Sequence, residues 1–169
     1  EMRDTETIDT ALKAAETGHL VLSTVHTQNA VQTISRLIAV FAPEEQEMVR
    51  IRLAESLQAV VSQRLIPRSD GNGRVVAAEI MRVTGTIQDC ILDSDRVSEI
   101  FDLIAEGREQ YGTQTFDQHL MDLVREGDVD FNVAMAAATN PSDFDLKMNI
   151  LSHNPVADAM AAGGGASHF

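Results

Sequence analysis

Residues 5 to 25 pass through a complete change of hydrophobic period, and that change constrains the fold more than any other feature of the chain. Ile8, Leu12 and Ala15 recur at helical spacing behind Asp4, a capping residue, and Gly18 is a natural C-terminal stop. The following residues, His19-Leu-Val-Leu-Ser-Thr-Val25, put apolar side chains on both parities: Leu20 and Leu22 against Val21 and Val25. A strand apolar on both faces is expected inside a helix-covered parallel sheet. An amphipathic helix feeding such a strand predicts an α/β fold.

Helical period returns from Asn29 to Phe41 through Val31, Ile34, Leu37 and Ile38. Pro43 suits the first turn of the next helix, and Glu44, Glu45 and Glu47 suit its dipole. Val49, Leu53, Leu57 and Val60 line that helix. Residues 62 to 81 read as a β-hairpin with an exposed tip, because Ser69 to Gly73 is dense in turn formers and Arg74 to Met81 is β-branched and apolar. Beyond Val83 the pattern is helical almost to the end. Val97, Ile100, Leu103 and Ile104 form one stripe closed by Gly107. Thr115 and Gln118 make a capping box ahead of Leu120, Leu123 and Val124, closed by Gly127. Short helices follow around 132–138 and 142–149. The Ala/Gly-rich tail after Pro155 is expected to be disordered.

Composition narrows the partners. A net charge of −13 argues against a broad nucleic-acid or anionic-membrane surface. Aromatic residues make up only 4%, so the core must be aliphatic. The single cysteine, Cys90, leaves no intrachain disulfide and suits a reducing compartment. No apolar run approaches the roughly 20 residues that span a bilayer. His119, His153 and His168 lack zinc-ligand spacing, so no metal site is expected from this chain.

Four motifs carry chemistry. Glu1-Met2-Arg3-Asp4 opens the chain. Gly18-His19-Leu20-Val21 and Thr24-Val25-His26-Thr27 bracket the apolar stretch. Tyr111-Gly112-Thr113-Gln114-Thr115-Phe116-Asp117-Gln118 lies near the end. In this order, and with Leu53-Ala-Glu-Ser-Leu57 and Gln63-Arg-Leu-Ile-Pro-Arg68 between them, they resemble the secretion and pilus ATPases, most of all the twitching-motility retraction (PilT) type. The likeness runs from residue 1 to about 149. It implies a partial RecA-like P-loop ATPase domain over 1–83, an all-helical C-terminal subdomain over 84–151 and a tail over 152–169. It also implies a cytoplasmic homohexamer at the inner-membrane base of a type IV pilus, docked on a platform protein and using ATP and Mg2+.

Residue by residue, Glu1 matches the family's catalytic carboxylate, which orients the attacking water; at a frayed end it would be only a surface glutamate. Thr24 and His26 fall at the C-terminal end of the predicted strand, the edge where α/β sheets bind ligands, and the resemblance makes them nucleotide-sensing. Gly18, His19 and Thr27 complete the histidine box. About 23 Å of extended chain would separate His19 from His26, so both cannot touch one phosphate, and His19 is assigned to packing or coupling. Arg3 is expected to be a salt-bridge partner rather than an arginine finger.

The chain contains no Gly-x-x-x-x-Gly-Lys-Ser/Thr loop. It therefore reads as the C-terminal part of a larger ATPase, inactive alone, with the main Mg2+ ligands elsewhere. One cysteine excludes the paired CxxC zinc insertion of extension and secretion ATPases, which favours retraction. The family's Ala-Ile-Arg-Asn-Leu-Ile retraction motif aligns with Thr86-Ile87-Gln88-Asp89-Cys90-Ile91. Ile87 and Ile91 keep the apolar spacing, but Gln88 and Asp89 replace the Arg and Asn. An accessory retraction paralogue, a secretion or extension ATPase, and a non-catalytic protein docking on a motor ring are the alternatives.

Overall fold

A computed structural model describes residues 1–152; the expected disordered tail lies outside them, apart from the last residue of the final helix. The first element is α1 (Thr5–Glu16). Asp4 caps it by accepting the Thr7 amide, and Thr7 returns a bond to the Asp4 backbone. Gly18, at φ 88°, then turns the chain in a conformation that suits glycine. Asn29 caps α2 (Ala30–Ala39), and Pro43 starts α3 (Pro43–Ser56). The strands β1 (Ala59–Pro67) and β2 (Arg74–Arg82) pair antiparallel, Ala59 opposite Arg82 through Pro67 opposite Arg74. Six helices follow: α4 (Gly85–Leu92), α5 (Ile100–Glu106) after a 3-10 segment at Ser94–Glu99, α6 (Arg108–Tyr111), α7 (Phe116–Arg125), α8 (Phe131–Ala137) and α9 (Pro141–Ser152).

The strand expected over residues 19–25 is absent. That stretch is extended but unpaired, with Leu20 84% and Leu22 87% exposed. A strand exists only as half of a ladder, and this stretch is tied to other segments by isolated backbone bonds, from the Met2 amide to the Thr24 carbonyl and from the His19 amide to the Ala14 carbonyl of α1. Among the described residues the sheet is the antiparallel hairpin alone, not a parallel sheet. The fold is mixed α/β, mostly helical.

Alternation along the hairpin sets the packing. Ser62, Ile66, Ala77, Glu79 and Met81 are buried, whereas Val61, Leu65 and Val76 face outward. Two apolar cores meet the buried side, the second of them built around the rings of Phe116 and Phe144. One joins Ile8, Leu12, Ile34, Leu37, Leu53 and Met81 to Ile87, Ile91, Ile100 and Ile104, so it continues across residue 84. The other joins Ile66 and Ala77 to Phe116, Leu120, Leu123 and Phe144. The Thr115–Gln118 capping box forms as expected. Gly107 is required by close approach, since a Cβ there would stand 2.7 Å from the Thr113 hydroxyl. No described helix is long and apolar enough to cross a membrane.

Arg52 ties α1 to α3. Its guanidinium donates to Asp9 Oδ1 at 2.9 Å and to Glu16 Oε1 at 2.5 Å. Bonds from Lys13 and Arg52 hold the Asp9 carboxyl below its usual 3.8, and bonds from Arg52 hold Glu16 below its usual 4.5. A carboxylate depressed in this way stabilises the fold above its ordinary pKa, and the contribution disappears as pH falls through the folded value. Replacing Arg52 by Met should therefore lower the melting temperature at pH 7, and the gap to wild type should narrow as pH falls below about 4. A gap independent of pH would sink this account. Ile87, at 1% exposure, should cost about 2–5 kcal/mol on change to Ala, read by urea unfolding. A loss under about 1 kcal/mol would remove Ile87 from the core.

Candidate functional site

Twenty-odd residues of helix and loop separate the first motif from the second histidine, yet the chain brings them together. The Met2 amide donates to the Thr24 carbonyl at 3.0 Å, laying residues 1–3 beside 24–26. Glu1 Oε1 then lies 3.1 Å from His26 Nε2, and Glu1 Oε2 lies 2.5 Å from the Arg3 guanidinium. The carboxylate is three-quarters covered, while the His26 ring is 81% exposed and open to a ligand. The hydrogen bond from Arg3 is the main reason the Glu1 carboxyl is held below its usual value, with the nearby charges of Arg3 and His26 acting in the same direction. Glu1 is thus a fixed anion at neutral pH. It is a weak base, suited to orienting a polar group more than to carrying off its proton.

The loop behind His26 is pinned at several points. The Thr27 hydroxyl meets the Thr33 hydroxyl at 2.6 Å, and the Gln28 amide donates to Gln32 Oε1 at 3.3 Å. Asn29 Oδ1 accepts the Gln32 amide at 2.8 Å, and the Ala30 amide donates to Glu79 Oε1 on β2, also at 2.8 Å. Glu79 is 2% exposed, and burial raises its carboxyl above the ordinary range. Sequence reading missed it. The only signal was a charged residue on the buried parity of an apolar strand, and that parity becomes visible only once the hairpin register is known.

The other expected site residues lie elsewhere. His19 Nδ1 contacts the Thr17 hydroxyl at 3.1 Å and the Ala14 carbonyl at 3.3 Å, at the C-terminal end of α1. It is exposed and does not join the Glu1–His26 pair. Gly18 serves the same turn, and Thr24 contributes its backbone carbonyl. Ile87 and Ile91 are buried in the first core on one side of α4, as their spacing requires. Gln88 is half-buried, its amide donating to the Ala54 carbonyl at the end of α3 at 3.0 Å, whereas Asp89 is exposed. Arg50 donates to the Ile91 carbonyl at 2.8 Å, a second polar tie between α3 and α4. No cluster of three or more metal-ligating side chains occurs among the described residues.

Comparison with known proteins adds to this geometry. Residues 1–136 match the family model "Type II/IV secretion system protein". The type IV pilus retraction ATPase PilT of Pseudomonas aeruginosa is 47% identical over 144 residues, which are 85% of this chain and 41% of that protein. A twitching motility protein of Neisseria gonorrhoeae is 45% identical over 140 residues, 83% of this chain and 37% of that protein. The crystal structure of the pilus retraction motor PilT with bound ADP superposes with a TM-score of 0.73 at 40% identity, covering 85% of this chain and 39% of that one. The chain thus spans about two fifths of the length of the curated relatives it matches. With its motifs in family order and its fold superposing on a retraction motor, the chain belongs to the type II/IV secretion system protein family, as a homologue of the PilT-type twitching-motility ATPases.

Proposed function

We propose that this chain supplies the C-terminal part of a hexameric ATPase motor that couples ATP hydrolysis to type IV pilus retraction. The observation that carries the reading is the 3.1 Å contact between Glu1 and His26, which joins a fixed carboxylate to an exposed imidazole at one spot. Phosphoryl transfer to water needs positioning and charge stabilisation more than covalent chemistry. In this reading Glu1 orients the attacking water, Arg3 keeps the carboxylate ionised, and His26 senses the γ-phosphate beside it. Thr27, bonded to Thr33, stiffens the loop beneath His26.

The residues fit the γ-phosphate end of a nucleotide and not its whole length. The N-terminus of α2, an anion seat by its dipole, is already filled by the Glu79 carboxylate. The cradle for the remaining phosphates and the main Mg2+ ligands belong to elements other than these. Bound Mg2+ neutralises charge on the β- and γ-phosphates. The motor is assigned to the cytoplasmic face of the inner membrane, docked on the pilus platform protein.

A second reading is favoured by α4. Its Ile87, Cys90 and Ile91 are core, Gln88 is engaged with Ala54, and Asp89 is the exposed charge it offers for coupling. Against the family motif, Gln88 removes a positive charge and Asp89 adds a negative one. An accessory motor that hydrolyses ATP but retracts pili only with a partner motor fits that polarity.

Two measurements test these assignments. In the full-length protein, Glu1→Gln should lower steady-state ATP turnover by about 100-fold or more, and His26→Ala should lower it less. Glu1→Gln keeping over half of wild-type turnover would remove the carboxylate from the mechanism. For direction of work, Gln88→Arg with Asp89→Asn should restore twitching in a strain lacking its other retraction motor. Full twitching by the unaltered protein alone would refute the accessory reading.

A further inference from the structure

Glu79 is a carboxylate at 2% exposure with no cation at ion-pair distance among the described residues. The charged groups acting on it through space are Arg64 of β1 and Asp117 of α7. Both are engaged elsewhere. Arg64 donates to the Ala137 carbonyl at 3.0 Å and lies 3.8 Å over the Phe116 ring. Asp117 accepts the Thr139 amide at 2.7 Å and the Asn140 amide at 3.1 Å. An unpaired buried carboxylate is costly, and an apolar residue would pack more favourably on that face of β2. What Glu79 does make is the 2.8 Å bond to the Ala30 amide, at the positive end of α2.

We propose that Glu79 is a positioning residue for the hydrolytic site: by holding the first turn of α2 against β2, it sets where His26 stands relative to Glu1. The inference rests on the proposed roles of Glu1 and His26. The connection is short and continuous. Ala30 follows Asn29, the cap of α2. Thr33 in the same turn grips Thr27 at 2.6 Å, and Thr27 is the next residue after His26. On the other side, β2 is anchored where the Ile80 amide and carbonyl exchange bonds with Gln114 at 2.8 and 3.0 Å. The His26 loop therefore hangs from a strand clamped on both edges, and Glu79 is the side chain that joins them. A displacement of about 1 Å at a reacting centre can cost on the order of 100-fold in rate.

Glu79→Ala and Glu79→Gln in the full-length protein test this, because the glutamine keeps an acceptor for the Ala30 amide. The readouts are kcat and KM for ATP, amide hydrogen exchange, and NMR signals of the His26 ring and the Glu1 carboxyl. The alanine variant should lower kcat about tenfold with KM within about twofold, speed exchange at residues 27–31 about tenfold, and shift the His26 and Glu1 signals. Exchange at Ile104 and Leu120 should stay at the wild-type rate. The glutamine variant should recover most of both effects. A lower melting temperature with unchanged kcat and unchanged His26 and Glu1 signals would reduce Glu79 to a structural residue and overturn the proposal. If the wild-type protein showed no turnover, the proposed function would fall; local exchange and the two side-chain signals would still decide the role of Glu79. If the alanine variant does not fold, a glutamine variant with its His26 ring signal displaced as far as in Asn29→Ala overturns the assignment, and one with that signal in place supports it.

Discussion

The antiparallel register between β1 and β2 supplies the surface on which the rest of the molecule packs. Along one parity of β2, Ala77 enters the core of the C-terminal helices, Met81 enters the core shared by α1 to α5, and Glu79 sits between them. A slip of one residue would send all three to the solvent face and bring Val76 and Ile80 inward, dissolving both cores together. The helices add little independence. α6 and α8 are too short to be stable alone, and α4 owes its place to Ile87 and Ile91 beneath it.

The candidate site depends on that same scaffold at one remove. Glu1 and Arg3 precede the first helix, and His26 stands on a stretch without ladder partners, so neither is held by regular secondary structure. Capping bonds hold them: Asp4 on α1, Asn29 on α2, and Glu79 from the sheet. Such a site can be well placed and still shift with modest energy, since each tie is a bond or two worth about 1 kcal/mol net.

α4 shows how one short motif divides its labour. Its isoleucines are structural, because they are buried against α3 and α5. Gln88 and the Arg50 bond to the Ile91 carbonyl fasten its middle and its last turn to α3, the helix that Arg52 in turn fastens to α1. Substitution at Gln88 therefore alters a joint as well as a surface charge.

Local features were legible in the residues alone. The caps at Asp4 and Thr115, the proline start of α3, the turn at Gly18, the hairpin and the shared face of Ile87 and Ile91 all follow from chemistry within a few positions of one another. The family was legible too, because its motifs are contiguous. The strand at 19–25 was not. Its apolar pattern states what the residues prefer, but a ladder needs a partner, and among the described residues none pairs with it. Nor could the sequence show that Glu79 reaches back 49 positions to the Ala30 amide, or that Glu1 meets His26 and not His19. Those contacts join residues whose separation along the chain carries no periodic signal. Only the register of the hairpin and the packing of α2 against it decide them.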